Sequence, residues 1–196
     1  MVPLEHRTLE VIFSTATPPS WAVAVDRWYQ LDAPAFALAE AWSQWNAASP
    51  LPTPRFIVGA SATASNASDR AFAESPRAHR FVHTLPSVRY AALCQVMRWA
   101  GPLLCVQRDP TTLAAGLATA MDFHAHDGET WVLGARPTVA GAQVDFLRLG
   151  VDAAGTLAIV RSEVPTVPVA TDADLAKALV AGASTTLEGG WCLVPR

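Results

Sequence analysis

Charge is scarce in this chain: aspartate, glutamate, lysine and arginine make up only 16% of it. What charge there is leans acidic, with a formal net value of −3. A phosphate binder normally carries a basic footprint, so nucleic acid is not expected as a partner. Long apolar runs are missing too. None approaches the roughly 20 residues that span a bilayer, so no membrane insertion is expected. The start, Met1 to Arg7, lacks the basic opening and apolar stretch of a secretory signal, which makes the cytoplasm the expected location. Cysteine is limited to Cys94, Cys105 and Cys192, an odd number without metal-ligand spacing and set among apolar neighbours. They read as reduced packing residues. No Gly-x-Gly-x-x-Gly occurs and Gly189-Gly190 stands alone, so no phosphate-cradling loop and no cofactor are expected.

What is present is apolar bulk. Hydrophobic residues make up 51% of the 196 positions, and seven tryptophans accompany only two tyrosines. This composition excludes a disordered chain and suffices for one domain with a sizeable core. The surplus fits an extensive subunit interface as well as a core, because obligate interfaces resemble a core cut in half. An Ala/Val/Leu-rich background composition accounts for it equally.

Strands and helices alternate along the chain, which predicts a three-layer α/β domain. Residues 8–16 read as a strand. Residues 34–47 read as a helix with Leu38, Trp42 and Trp45 on one face. Pro50, Pro52 and Pro54 lead to a strand over 55–60. Residues 61–68 read as a loop, followed by a short helix around Asp69 to Arg77. A helix over 86–99 puts Val88, Ala92, Val96 and Trp99 on one stripe. Residues 131–136, 143–151 and 156–161 read as strands, the last two as a hairpin around Asp152–Gly155. Thr171 and Asp174 form a capping-box-like start to a helix that closes at Gly182. Trp191 to Val194 reads as a final strand, and Glu163 to Ala170 as a hinge before this C-terminal segment.

Two clusters carry weak chemical signals. Asp122, His124, His126 and Asp127 are metal-ligand types, but a spacing of two on a helix turns the histidines about 200° apart, so they do not converge. A solvated helix end is the simpler account. Gly59-Ala60-Ser61-Ala62-Thr63 follows a strand, as a serine nucleophile does, yet Thr63 stands where the elbow needs glycine.

The most telling feature is Asp109-Pro110-Thr111. It joins the apolar strand Leu103, Leu104, Cys105, Val106, Gln107 to a helix expected from Pro110 through Met121 to residue 126, with Asp109 as N-cap. A strand feeding a helix N-terminus is where many α/β enzymes hold a nucleophile, because the helix end favours anions and lowers a thiol's pKa. Here that place carries proline. Cys105, mid-strand among apolar neighbours, reads as packing.

The order Leu85-Pro86-Ser87-Val88, helix, Gly101-Pro102, strand, turn, helix, and strand Trp131 to Ala135 resembles the N-terminal half of a β-ketoacyl synthase. The likeness spans roughly Thr8 to Arg161 and rests on order and spacing. In that family the catalytic cysteine follows the Gly-Pro proline by eight residues, and counting from Pro102 reaches Pro110. Ser87 replaces the family's usual asparagine and Ala100 its usual arginine. The resemblance implies a three-layer thiolase-like half with a mixed five-stranded sheet and helices on both faces. Residues 170–196 would be a C-terminal helix-and-strand extension of a single domain. The family's two catalytic histidines belong to a second half, expected to be absent from a chain ending at Arg196.

Cysteine-free relatives include chain-length factors, and truncated ones accompany aryl-polyene and xanthomonadin-type pigment pathways. The resemblance therefore implies a non-catalytic subunit that pairs with a full-length ketosynthase and meets an acyl carrier protein. Residues 103–107 would form the dimer interface. Val82, His83, Thr84 and Leu85 would border the partner's acyl pocket. Arg77, His79, Arg80 and His83 otherwise read as an exposed polar loop. Two rival readings stay open: a homodimeric scaffold or acyl-chain-binding protein, and a hydrolase or acyltransferase using Ser61.

Overall fold

The computed structural model describes residues 1–62, 66–77, 85–124, 128–150, 155–162 and 167–196. Among them, eight strands form one mixed sheet: β1 (Val2–Ile12), β2 (Phe56–Ala60), β3 (Leu103–Val106), β4 (Thr130–Pro137), β5 (Gly141–Leu149), β6 (Leu157–Arg161), β7 (Thr185–Thr186) and β8 (Trp191–Pro195). Their order across the sheet is β3-β2-β4-β5-β1-β6-β8-β7. The helices are α1 (Ala33–Ala48), α2 (Asn66–Glu74), α3 (Val88–Met97), α4 (Thr112–Phe123) and α5 (Asp172–Ala181).

Side-chain alternation along the strands sorts the core into two layers. On β4, Trp131, Leu133 and Ala135 face α1 and α3, joining Phe36, Leu38, Tyr90 and Leu93. Val132, between them, faces α4 with Val58, Ala60 and Leu117. Leu175 and Leu179 of α5 extend this second layer over Leu157, Ile159 and Leu193. Helices therefore cover both faces, as a three-layer α/β domain requires. Helix α4 lies close because Gly116 has no side chain: a Cβ there would meet that of Ala60 at 3.0 Å.

Three sequence expectations are corrected. The sheet has eight strands rather than five, because β6, β7 and β8 of the C-terminal region add to the same sheet through β1. The expected hairpin of residues 143–151 with 156–161 does not form. β5 pairs with β4 and β1, and β6 pairs with β1 and β8. Leu4 of β1 stands between Leu149 and Leu157. Local turn chemistry suggested neighbours, and a strand from the far end of the chain separated them. The first strand lies at Val2–Ile12 rather than 8–16, held by its register from Leu4 opposite Leu149 to Ile12 opposite Gly141.

Smaller shifts have local causes. Helix α2 starts at Asn66, inside the expected loop. Helix α3 stops at Met97 because Arg98 turns left-handed, and Trp99 leaves the expected stripe to donate its Nε1–H to the Pro54 carbonyl at 2.8 Å. Helices α1 and α5 match expectation: Asp32 caps α1 by accepting from Ala35 N, and Thr171 caps α5 by accepting from Asp174 N. Gly182 closes α5 at φ 61°.

Candidate functional site

Strands β3, β2 and β4 are parallel, so their C-terminal ends share one edge of the sheet. Ligands in open α/β sheets bind outside such ends. The N-terminus of α4 arrives at this edge from the turn after β3. That turn is tight: Thr111 N donates to the Arg108 carbonyl at 2.8 Å, and Arg108 N donates to Thr112 Oγ1 at 3.0 Å. Asp109 and Pro110 are exposed, and their peptide bond is cis.

The expected start of the helix is corrected here. It begins at Thr112 rather than Pro110, and neither Asp109 nor Thr111 caps it with a side chain. The cap comes from Asp172, the first residue of α5. Its carboxylate accepts from Leu113 N with both oxygens at 2.9 Å, and from Ala114 N at 3.0 Å. Asp172 N in turn donates to the Pro110 carbonyl at 2.9 Å. Burial pushes the Asp172 carboxyl above the ordinary value, while the Leu113 and Ala114 amides and Arg136 pull it back.

Beside this contact lies a cavity of about 50 Å³ lined by Ala60, Leu113, Gly134, Arg136, Asp145 and Asp172 among others. Asp145 of β5 is 4% exposed. His6 Nε2 stands 3.4 Å from one of its oxygens and Arg136 3.6 Å from the other. A second buried charge cluster lies further along β5, where Arg148 bonds Glu129 at 2.7 and 2.8 Å and Glu5 at 3.2 Å. Arg7 pairs with Glu5 at 2.6 Å, so two cations meet two carboxylates, the pairing that burial of ions demands.

The sequence-singled residues fall as follows. Leu103, Leu104, Cys105 and Val106 form β3, the edge strand, paired only with β2 among the described strands; Gln107 lies just beyond and donates to the Ala62 carbonyl at 3.3 Å. Leu104 is 38% exposed. Leu85 is exposed; Val82, His83 and Thr84 lie outside the described residues, as do His79 and Arg80. Cys105 packs toward the α1/α3 layer, and burial, then the nearby Cys94, push its thiol up to about 11. Cys94 is raised by burial as well. Ser61 is buried and its Oγ accepts from the Arg89 guanidinium, a group with no capacity to take a proton from it. His124 Nδ1 meets Thr130 Oγ1 at 3.1 Å, while His126 and Asp127 lie outside the described residues. Among the described residues, no three His, Cys, Asp or Glu side chains converge to hold a metal ion, and no helix is long and apolar enough to cross a membrane.

Asp172, His6 and Asp145 escaped sequence reasoning. The sequence marked the capping start at Thr171 and Asp174 and gave Asp172 between them no role. Nothing local signals a backbone partner 59 positions earlier.

No family model and no curated protein matches the sequence. Among solved structures, the fold resembles a chain in the complex of a ketosynthase (ApeO) with its chain length factor (ApeC) from Xenorhabdus doucetiae. Identity is 12%, the TM-score is 0.59, and the likeness covers 92% of this chain and 82% of that one. A further likeness is to PksG, an HMG-CoA synthase from a Bacillus, at 14% identity and TM-score 0.40, covering 75% of this chain and 38% of that one. The expected fold class stands: a three-layer α/β domain, with a larger sheet than expected, whose fold resembles that chain of the ketosynthase–chain length factor complex.

Proposed function

We propose that this chain is a non-catalytic, chain-length-factor-like subunit that pairs with an active ketosynthase in fatty-acid- or polyketide-type chain assembly. One observation carries the reading. On a fold resembling a chain of a ketosynthase–chain length factor complex, the turn into α4 presents Asp109-Pro110-Thr111, and the helix amides beyond it are taken by Asp172. A condensing enzyme needs an activated nucleophile there. Pro110 carries no nucleophile, and Thr112, the first hydroxyl inside α4, is 1% exposed and already accepts the Arg108 amide.

In this reading the subunit acts by shape. Strand β3 meets the partner, since an apolar edge strand with unpaired backbone groups is hazardous alone. Val82, His83, Thr84 and Leu85 border the partner's acyl pocket and limit chain length, and an acyl carrier protein docks on the complex. The aryl polyene and xanthomonadin-type pigment pathways are the setting that the sequence resemblance favours.

Light scattering tests this. The absolute mass of the purified chain is measured alone and after co-expression with a ketosynthase encoded in the same genome. A 1:1 complex is expected. A stable homodimer that ignores the ketosynthase would sink the proposal and promote the homodimeric scaffold.

A further inference from the structure

Helices α4 and α5 are joined through one carboxylate: Asp172 is the first residue of α5, and its side chain caps the N-terminus of α4. A helix N-terminus leaves several amides without intrahelical partners and concentrates partial positive charge. Such ends are ordinarily capped by a residue of their own turn. Here Asp109 and Thr111 are of capping type and adjacent, yet a carboxylate from the far end of the chain supplies the cap.

The contact is part of a longer attachment. Asp172 N donates to the Pro110 carbonyl. Arg108 of the same turn pairs with Glu188, in the single 3₁₀ turn Glu188–Gly190 before β8. Trp191 Nε1 lies 3.4 Å from Asp122 Oδ1, near the other end of α4. Residues from Asp172 to Trp191 thus grip α4 at both of its ends.

We propose that this C-terminal segment is a built-in plug, with the Asp172 carboxylate as the internal occupant of the α4 N-terminus that keeps outside carboxylates and oxyanions from it. With the carboxylate in place, the space left beside it is about 50 Å³, lined by Ala60, Leu113, Gly134 and Asp145 among others. That volume suits a few water molecules. The plug rests on contacts within this chain and needs no ketosynthase partner, so it stands or falls apart from the proposed pairing.

The test replaces the internal anion with an external one. Thermal melting of the wild type and of Asp172→Ala is followed in sodium formate and in sodium chloride of equal ionic strength. Formate is a single carboxylate, close in size to the group removed. Asp172→Ala is expected to melt lower than the wild type, and formate to raise its melting point saturably while leaving the wild type where chloride leaves it. A variant that folds but responds to formate no more than the wild type does would overturn the plug. If Asp172→Ala does not fold, Asp172→Asn, nearly isosteric, carries the test through amide hydrogen exchange. Leu113 and Ala114 are expected to exchange about tenfold faster than in the wild type as the local opening free energy falls. Unchanged exchange at both amides would overturn the proposal.

Discussion

A Cβ on Gly59 would stand 2.5 Å from two carbons of the Tyr90 ring. That ring cannot yield readily: Tyr90 is 1% exposed and its hydroxyl donates to the Leu133 carbonyl at 3.2 Å. Gly59→Ala is therefore expected to destabilise the chain by about 1–3 kcal/mol, the usual cost of overpacking a core, as read by urea unfolding. The sequence drew attention to Gly59 as the start of a serine elbow. Its actual service is to make room for an aromatic ring, which no pattern in residues 59–63 discloses. At Cys105 the sequence read correctly as packing, and the chemistry agrees. With its thiol pushed up to about 11, first by burial and then by Cys94, it holds almost no thiolate at neutral pH. Alkylation of the Cys105 peptide by iodoacetamide, followed by mass spectrometry, is expected to be slow at pH 7.5 and to quicken about tenfold per pH unit up to pH 10. Rapid labelling at neutral pH would contradict the half-buried placement.

Among the elements, β3 is the one whose position matters most for the proposed pairing. It is short, apolar and at the sheet edge, with Leu104 partly exposed beside Val58 in register. A lysine on an edge strand discourages strand addition. Leu104→Lys should abolish co-purification with the ketosynthase, while the unfolding free energy stays within about 0.5 kcal/mol of the wild type, as for an ordinary surface change. Retained complex would place the interface elsewhere. Strand β3, helix α1 and helix α5 were all legible, because hydrophobic periodicity, a proline-rich exit after α1 and the Thr171 and Gly182 caps are local signals. The start of α4 was misplaced for the opposite reason. Asp109-Pro110 is an ideal local opening, and the chain passed it over for a cap supplied by α5.

For the whole molecule, the layer class could be read from alternating strands and helices, but the sheet order could not. Inserting β1 between β5 and β6 is a long-range pairing that only the assembled register reveals: Leu4 opposite both Leu149 and Leu157, and Val2 opposite Ile159. The same holds for Arg148, Glu129 and Glu5, scattered in sequence and joined by ion pairs in space. The two layers also differ in a way that bears on how the molecule can be watched. Trp21, Trp28, Trp42, Trp45, Trp99 and Trp131 belong to the α1/α3 layer, and Trp191 alone belongs to the layer of α4 and α5. Intrinsic fluorescence is thus an almost one-sided signal, dominated by the layer opposite the Asp172 contact. The difference spectrum between the wild type and Trp191→Phe isolates an emitter that sits against Asp122 and under the Arg161 guanidinium. The chain carries its own optical probe of whether the C-terminal segment is seated.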